Sequence, residues 1–593
     1  MPRAGSPPRH TSIPNAAQEI PTLRQRPQEL RKLSSAAIEW DGTAAAKAES
    51  GRLTFAEIYR RVHRNEVDGM DFQFDKFTQA ETEHLIMRGA PLSAVTRDRA
   101  AQFASSTSGD RDFKLSGPVA VCDDFLSHAW KTDRLQKWMA LMYTYNLKAS
   151  AGAWLIAHVL GMLYCHATAP ANPRELGYLA VVLVAVVLVP LIVQLVVLVY
   201  GLPRVRSLNP EPVVFLDKVC INQCHSGLKT LGINGLETFL KYSKRMVLLY
   251  DESTYTRLWC AFESAMFSKY AAANKFIFTP CATSRFAIHM VLASHAATLF
   301  GCIIMLVLLD WRGWDSSEVY RGLKSRDHLM LWLQIFGVAM LPTYTWMACL
   351  LRDRCREIMS IKSSLTNFSL KNTHCFEPKD RELVEARIKE AWGDVDKFDT
   401  FVKTQLSREM SNNIGAADLA PMWLDLVVAL PWTPFFSVIG LVQVSGEQAL
   451  RFWQVLLVDV TCIGVCFPLA MTFWYYFSFS IYKKFAGRPR VSVGLVTAWT
   501  MANCTLSMCV FCECLDLAFR QPLATGAGSV ALLTASFQGA TFYLHTRGQC
   551  EFTCATMLVI ALLWVPAFLF LNLGPATVGC KHWSCVWPHV PSA

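Results

Sequence analysis

The run MVLLYDESTYTRLWCAFE, Met246–Glu263, contains the change of pattern that decides the fold class. Met246–Tyr250 is apolar and has the length of a buried strand, and the polar loop Asp251–Tyr255 follows it. From about Thr256 to Tyr270 the residues follow a helical pattern. A buried strand that leads through a short loop into a helix is the repeating unit of a parallel α/β sheet.

The same alternation extends to both sides of this run. Strands that alternate with helices predict a parallel sheet with right-handed crossovers, whose functional residues gather at the carboxyl ends of the strands. We expect Ser127, His128, Asp217 and the 251–256 loop at that edge. The further predicted elements are strand Pro118–Ser127, helix Asp133–Tyr145, strand Val213–Leu216, helix Leu231–Tyr242 and strand Phe276–Thr279.

The composition indicates a membrane protein. Of 593 residues, 52% are hydrophobic and only 18% are charged, whereas soluble domains contain about 25% charged residues. About nine apolar stretches have the roughly 20 residues that a helix needs to cross a bilayer. They are 149–169, 178–202, 286–309, 329–351, 422–444, 453–480, 491–519, 521–544 and 553–574.

The first two apolar stretches interrupt the α/β region. An even number of crossings returns the chain to the same side of the membrane, so the two halves of the region can still form one sheet. The predicted organisation is a disordered tail (1–50), a short helical region (51–118), an α/β module (119–148 plus 211–280), an inserted transmembrane hairpin (149–202), a transmembrane pair (286–351), a cytosolic helical linker (352–421), a five-span bundle (422–574) and an outer tail (575–593).

The net charge of +10 is better explained by membrane topology than by nucleic-acid binding. Lys and Arg crowd the N-terminal region and the segments 203–285, 352–421 and 483–490, while alternate loops hold few cations. This asymmetry predicts a cytosolic N-terminus and module and, with nine spans, an outer or lumenal C-terminus. The lipid bilayer is therefore an expected partner, and nucleic acid is not.

Two further patterns have simple interpretations. Asp380–Leu406 has the spacing of an amphipathic helix, which we expect to pack on the α/β module or on the membrane surface. Cys220, Cys224 and His225 lie close together, but no second pair of ligands accompanies them, so no metal site is predicted.

Several motifs of the α/β region resemble Toll/interleukin-receptor (TIR) domains. Phe125-Leu-Ser-His-Ala-Trp130 with Asp133 is similar to the first-strand motif of that family. Leu240–Ser243, the strand 246–250, and then Ser253–Tyr255 and Leu258-Trp-Cys260 with Glu263 resemble its second helix, third strand and third helix. Leu216–Gln223 is also similar to a strand of fungal heterokaryon-incompatibility domains, a related module. The resemblance covers about 119–148 and 211–280 and implies a flavodoxin-like fold.

Many TIR domains cleave NAD, and the resemblance places the family's catalytic glutamate at Glu263. It implies NAD as a substrate, no cofactor, and self-association through the module. Cleavage of the nicotinamide–ribose bond needs a carboxylate that stabilises positive charge on the ribose carbon. Phe125, Trp130 and Tyr255 are candidates to sandwich the nicotinamide. The full set of expected substrate-binding residues is Phe125, Ser127, His128, Trp130, Asp133, Asp217, Tyr255 and Trp259.

Other interpretations remain open at this level. Glu263 could occupy a solvated helix position, Trp259 the core, and His128 a turn cap, while Asp217 could bond to the loop after it. The module could be an inactive scaffold, since many TIR domains assemble without catalysis. The bundle could instead be a transporter or channel with the module as its regulatory domain, because acids such as Asp459 and Glu513 lie within predicted spans.

Overall fold

The computed structural model describes residues 55–64, 78–106, 109–170, 176–201, 210–270, 276–311, 340–375, 377–414 and 467–502. The chain divides into two compact units. The first unit, Met1–Ala149, Leu198–Arg285 and Met359–Glu409, contains the sheet. The second unit, Ser150–Val197, Phe286–Ile358 and Met410–Ala593, contains the apolar helices.

The first unit is built around a mixed six-stranded sheet with the order β2-β1-β4-β3-β5-β6. Strands β3, β4, β5 and β6 are parallel, whereas β1 runs antiparallel to both β2 and β4. The strands are β1 (Arg88–Pro91), β2 (Gly117–Pro118), β3 (Cys122–His128), β4 (Val213–Phe215), β5 (Ser243–Tyr250) and β6 (Phe276–Pro280).

The antiparallel strands differ from the sequence prediction, which assigned 51–118 to short helices. β1 is only four residues long and includes Gly89, where a side chain could not fit. A Cβ atom at Gly89 would lie 2.4 Å from Cγ1 of Val213, the first residue of β4. The glycine thus permits the close approach of the two strands, and such short strands carry no detectable periodicity.

The register between β3 and β5 is marked by a partly buried ionic contact. Asp124 pairs with Arg245 across the two strands, and the guanidinium donates to both carboxylate oxygens at 2.7 and 2.8 Å. The hydroxyl of Tyr145 donates to the same carboxylate at 2.9 Å. Asp124 is fully buried, so these three hydrogen bonds replace its hydration.

Along the chain, the helices of the first unit precede, connect and follow these strands. The predicted helix 231–242 is divided at Gly235, between the helices Ser226–Asn234 and Leu236–Lys241. Gly235 also packs closely on Ile86, since a Cβ there would lie 2.1 Å from Cδ1 of Ile86. The helices are Phe55–Arg64, Gln79–Ile86, Leu92–Ala100, Asp110–Phe113, Arg134–Tyr145, Asp217–Cys220, Ser226–Asn234, Leu236–Lys241, Leu258–Tyr270, Pro378–Trp392, Val395–Phe401 and Ser407–Ile414, with short 3-10 turns at Ala101–Phe103, Thr254–Thr256 and Leu370–Asn372 and a π-helical turn at Val402–Leu406.

The segment 378–414 packs on the helix Leu258–Tyr270, here called the Glu263 helix. The predicted single helix Asp380–Leu406 is interrupted at Gly393, whose φ of 89° is a conformation that favours glycine. The ammonium group of Lys269 lies 4.9 Å from the centre of the Trp392 ring. Ser268 Oγ donates to Glu409 Oε2 at 2.7 Å. The segment therefore covers the α/β module, one of the two predicted arrangements.

Three of the described helices are long and apolar enough to cross a membrane: Leu147–Ala167, Gly177–Tyr200 and Cys281–Ile303. They correspond to the first three predicted spans. The predicted spans 329–351, 453–480 and 491–519 are described in part, by the helices Leu341–Thr366, Phe467–Lys484 and 489–502. The predicted spans 422–444, 521–544 and 553–574 lie outside the described residues, as do the tails 1–50 and 575–593 and the acids Asp459 and Glu513.

The first two apolar helices make a close backbone contact at Gly161. A Cβ atom there would lie 2.2 Å from the carbonyl oxygen of Ala185. Ala185 belongs to the π-helical turn Leu183–Leu188, and in the same turn the carbonyl of Val186 lies 3.1 Å from Nδ1 of His158. Small residues at such crossings let apolar helices approach closely.

Candidate functional site

The carboxyl ends of β4, β3 and β5 bring polar residues together at one edge of the sheet. β3 ends in Ser127 and His128, Asp217 follows β4 by two residues, and Asp251 follows β5 directly. These strands are neighbours in the order β4-β3-β5. Residues that lie between 34 and 124 positions apart in the chain therefore share one edge of the sheet, as expected for a parallel sheet.

Glu263 faces this edge from the Glu263 helix. The hydroxyl of Ser127 donates to Oε2 of Glu263 at 2.6 Å. The pKa of Glu263 is raised to about 8, chiefly by burial, and the negative charge of Asp217 acts in the same direction, while the Ser127 hydrogen bond and the charge of Arg257 act in the opposite direction. A glutamate with so high a pKa among polar residues at the carboxyl edge of a sheet is a candidate for chemistry.

Asp217 supplies a second carboxyl group. It begins the short helix Asp217–Cys220, and its Oδ1 accepts a hydrogen bond from the backbone N–H of Lys218 at 2.7 Å. The side chain of Trp130 also donates to it. Burial raises the pKa of Asp217, and these hydrogen bonds together with the positive charge of Lys137 partly offset that effect. The contact with Lys218 agrees with the expected bond to the following loop.

Of the three aromatic candidates for a nicotinamide sandwich, the structure places Trp130 at the site. Trp130 is half-buried, and its ring lies 4.5 Å from that of His128. Phe125 and Tyr255 are instead core residues, a correction to the sequence prediction. Phe125 stacks on Phe215 at 4.6 Å inside the sheet, and Tyr255 is 3% exposed.

Two further predicted site residues have structural roles. Asp133 caps the helix Arg134–Tyr145, since its Oδ2 accepts hydrogen bonds from the backbone of Leu135 at 2.9 Å and of Gln136 at 3.3 Å. Trp259 donates from Nε1 to Oδ2 of Asp380 at 3.2 Å. Its indole is thus engaged by the 378–414 segment, one helical turn before Glu263.

His128 lies at the site but is buried. Its ring packs edge-on against Phe103 at 4.8 Å, and its backbone carbonyl accepts the thiol of Cys260 at 3.3 Å. Burial lowers the pKa of His128 well below its usual range, and the charges of Lys137 and Arg257 add to this. The imidazole is therefore neutral at pH 7 rather than a cationic acid.

Three residues of the site are absent from the sequence prediction: Phe103, Lys137 and Arg257. Lys137 lies three residues before Ala140 and four before Leu141, on the buried face of its helix. This spacing is the sequence feature that could have indicated its burial. Arg257 directly precedes the Glu263 helix, and its charge affects both Glu263 and Asp217. Phe103 comes from a 3-10 turn with no recognisable pattern.

No cluster of three or more His, Cys, Asp or Glu side chains that could hold a metal occurs among the described residues. In the Cys220, Cys224 and His225 group, Nδ1 of His225 accepts the backbone N–H of Leu228 at 3.3 Å and caps the helix that follows. Cys220 is buried and Cys224 is exposed.

Comparison of the chain with protein-family models, with curated proteins and with solved structures finds no match to any of them.

Proposed function

We propose that this chain is a multi-pass membrane signalling protein whose α/β module is TIR-like and cleaves the nicotinamide–ribose bond of NAD. The observation that carries the proposal is the position of Glu263, which accepts the hydroxyl of Ser127 at the carboxyl edge of the sheet beside Asp217. Motifs that are separate in the chain and that resemble one family converge on this point.

The strand order supports the proposed fold. The four parallel strands lie in the sheet in the order β4-β3-β5-β6. When they are numbered 1 to 4 along the chain, this spatial order is 2-1-3-4. This is the beginning of the flavodoxin-like order 2-1-3-4-5. A fifth parallel strand is not found among the described residues, because the helix Cys281–Trp311 begins directly after β6. The proposal is thus a shortened flavodoxin-like sheet with antiparallel β1 and β2 added at its other edge.

The chemistry suits the charges at the site. When the bond between the ribose carbon and the nicotinamide nitrogen breaks, its electron pair goes to the pyridinium ring, and the ribose carbon acquires positive charge. An ionised Glu263 stabilises that charge until a water oxygen bonds to the carbon and releases a proton. The nicotinamide ring of NAD is itself a cation, so its binding beside Glu263 and Asp217 favours the ionised carboxylates.

The remaining parts of the proposal concern the membrane. Three apolar helices support membrane insertion, and the sequence predicts about nine spans with the N-terminus and the module in the cytosol. We propose that modules of neighbouring chains self-associate, so that signalling follows from clustering. Nicotinamide release would then be greatest in clustered protein.

Nicotinamide release from NAD by the full chain in lipid nanodiscs tests the enzymatic proposal. Glu263→Ala is expected to lower the rate by roughly 100-fold or more, the usual effect of removing a group that stabilises transition-state charge. Glu252→Ala is the matched control, because Glu252 is an exposed carboxylate of the neighbouring loop. Equal release by Glu263→Ala, or no release from clustered wild-type protein, would leave the module as an inactive scaffold.

One observation favours a second candidate, a transporter or channel. Within the second unit, Nε2 of His295 lies 2.6 Å from Oε1 of Gln194, and both residues belong to helices that could cross a membrane. Polar groups in such helices commonly line a path for ions or protons. A proton flux in protein-containing liposomes that Gln194→Leu abolishes would support this function, and an absence of flux would remove it.

A further inference from the structure

Lys137 is a buried cation whose ammonium group has no hydrogen-bond partner among the described residues. The side chain is 0% exposed and lies against two aromatic rings, with Nζ 5.4 Å from the centres of both Phe103 and Trp130. Burial lowers its pKa to about 8, and nearby acidic groups, Asp251 and Asp217 among them, act in the opposite direction. A lysine is rarely buried without a partner, because the loss of hydration is costly unless a ligand or an anion replaces it.

His128 provides a second unpartnered nitrogen in the same place. Its Nε2 is buried and has no hydrogen-bond partner in the described part of the chain. The imidazole lies 4.8 Å from the Phe103 ring and 4.5 Å from the Trp130 ring. The ammonium of Lys137 and the imidazole of His128 therefore lie against the same pair of rings, and both have an unused hydrogen-bonding capacity.

Phe103 covers this pair from a strained turn. The three residues Asp98, Arg99 and Ala100 have φ values of 51°, 56° and 57°, a left-handed conformation that is unfavourable for residues with a side chain. Phe103 follows them, and the turn after it is held by Lys218, which donates from Nζ to the backbone carbonyl of Ser105 at 3.1 Å. Backbone strain of this kind is concentrated at ligand-binding and switch regions.

We propose that Lys137 and His128 form an anion subsite beneath Phe103, which binds a phosphate group of a nucleotide. This inference rests on the proposed function, because Trp130 links the subsite to Asp217, beside Glu263. A ligand with a cationic ring at the two carboxyl groups and a phosphate at Lys137 would satisfy both ends of the site.

The geometry explains why an oxyanion, rather than an apolar group, belongs there. An ammonium group carries three N–H donors, and a neutral imidazole with a proton on Nε2 adds a fourth. These donors can serve several oxygen atoms of one phosphate at once. An apolar ligand would leave all of them buried and unpaired.

Binding measurements on the full chain in detergent test the subsite without reference to catalysis. ADP-ribose carries the diphosphate but not the nicotinamide, and nicotinamide is the complementary probe. We expect Lys137→Met to weaken ADP-ribose binding at least tenfold and to leave nicotinamide binding unchanged. Lys131→Met is the matched control, since Lys131 is exposed just before the same helix and should bind both as the wild type does.

Thermal melting separates a ligand-binding lysine from a structural one. Methionine is close to lysine in length and removes a buried unpaired charge, so Lys137→Met is expected to melt at or above the wild-type temperature. A lower melting temperature together with unchanged ADP-ribose affinity would overturn the subsite. Lys137→Gln provides a second uncharged variant with the same expected loss of affinity, should the methionine variant not fold.

The outcomes distinguish this inference from the proposed reaction. Lys137-dependent ADP-ribose binding without nicotinamide release would support the subsite and remove the cleavage. If nicotinamide release depends on Glu263 but Lys137→Met leaves the ADP-ribose affinity unchanged, the cleavage is supported and the subsite is removed. If nicotinate binds in a Lys137-dependent manner and ADP-ribose does not, the subsite is specific for a carboxylate and the assignment to phosphate is wrong.

Discussion

At the scale of single residues, the surroundings of Glu263 oppose its ionisation. Burial raises its pKa from 4.5 to about 8, and Asp217 contributes in the same direction. The hydrogen bond from Ser127 and the charge of Arg257 oppose this shift. A free carboxylate is thus formed only when a cation or a higher pH favours it, which makes the charge of this residue sensitive to any cation that binds beside it.

This pKa predicts how the proposed NAD cleavage should depend on pH. If ionised Glu263 is required, kcat/KM for nicotinamide release should increase by about tenfold per pH unit below the pKa and level off above about 8. Ser127→Ala removes a hydrogen bond that lowers the pKa, so its profile should be displaced to higher pH. A profile that is flat between pH 6 and about 9, or displaced to lower pH by Ser127→Ala, would contradict this role.

The same pKa predicts a pH-dependent cost in stability. The folded state binds more protons than the unfolded state between the ordinary pKa of 4.5 and the folded value of about 8, so stability should fall as the pH rises through this range. Glu263→Gln, a neutral side chain of the same shape, should therefore melt above the wild type at pH 9 and close to it at pH 4. Glu252→Gln, at an exposed position, should show no such difference.

At the scale of secondary-structure elements, the start of the Glu263 helix is held by His374, which lies just before the 378–414 segment. The backbone N–H of His374 donates to the carbonyl of Thr256 at 2.7 Å, and Leu258 donates to the carbonyl of His374 at 3.0 Å. With the hydrogen bond from Trp259 to Asp380, these contacts orient the helix that carries Glu263. The position of the candidate catalytic group thus depends on residues more than 100 positions away in the chain.

The contact at Gly161 predicts a second effect at this scale. A larger residue there would meet the backbone of Ala185, which cannot move aside as a flexible side chain can. Gly161→Leu is expected to destabilise the apolar helices by about 1–3 kcal/mol, the usual cost of overpacking. Gly152→Leu in the same helix is the control, because a Cβ at Gly152 has nothing within 4 Å. Comparable melting temperatures for the two variants would argue against the close crossing.

At the scale of the whole molecule, the proposed topology can be tested at an acceptor sequence for N-glycosylation. Asn367-Phe-Ser369 has this sequence, and Asn367 is exposed and belongs to the same compact unit as the sheet. With the module in the cytosol, Asn367 should remain unmodified in cells that glycosylate secreted proteins. An acceptor sequence introduced into the loop 170–177 should be modified. Sugar on Asn367 would reverse the proposed orientation.

Much of the sheet was predictable because strand and helix patterns are local. The apolar runs at Val213–Phe215 and Phe276–Pro280 form strands as expected, and Asp133 begins a helix. The two-residue strand Gly117–Pro118 was not predictable, since only its hydrogen-bonded pairing with β1 makes it a strand. Among the site residues, the spacing of Ser127 and Asp217 after strands predicted their place correctly, because every parallel strand ends at the same edge.

The sequence by itself was sufficient to predict apolar helices of membrane-spanning length, from continuous apolar runs, and the alternation of strands with helices, from hydrophobic patterns, since both depend on residues close together in the chain. Tertiary packing alone decided that Phe125 and Tyr255 enter the core, that Trp259 turns to Asp380, and that Lys137 is buried beside His128. The physical reason is that burial and pKa depend on which distant segments enclose a side chain. A linear pattern does not contain that information.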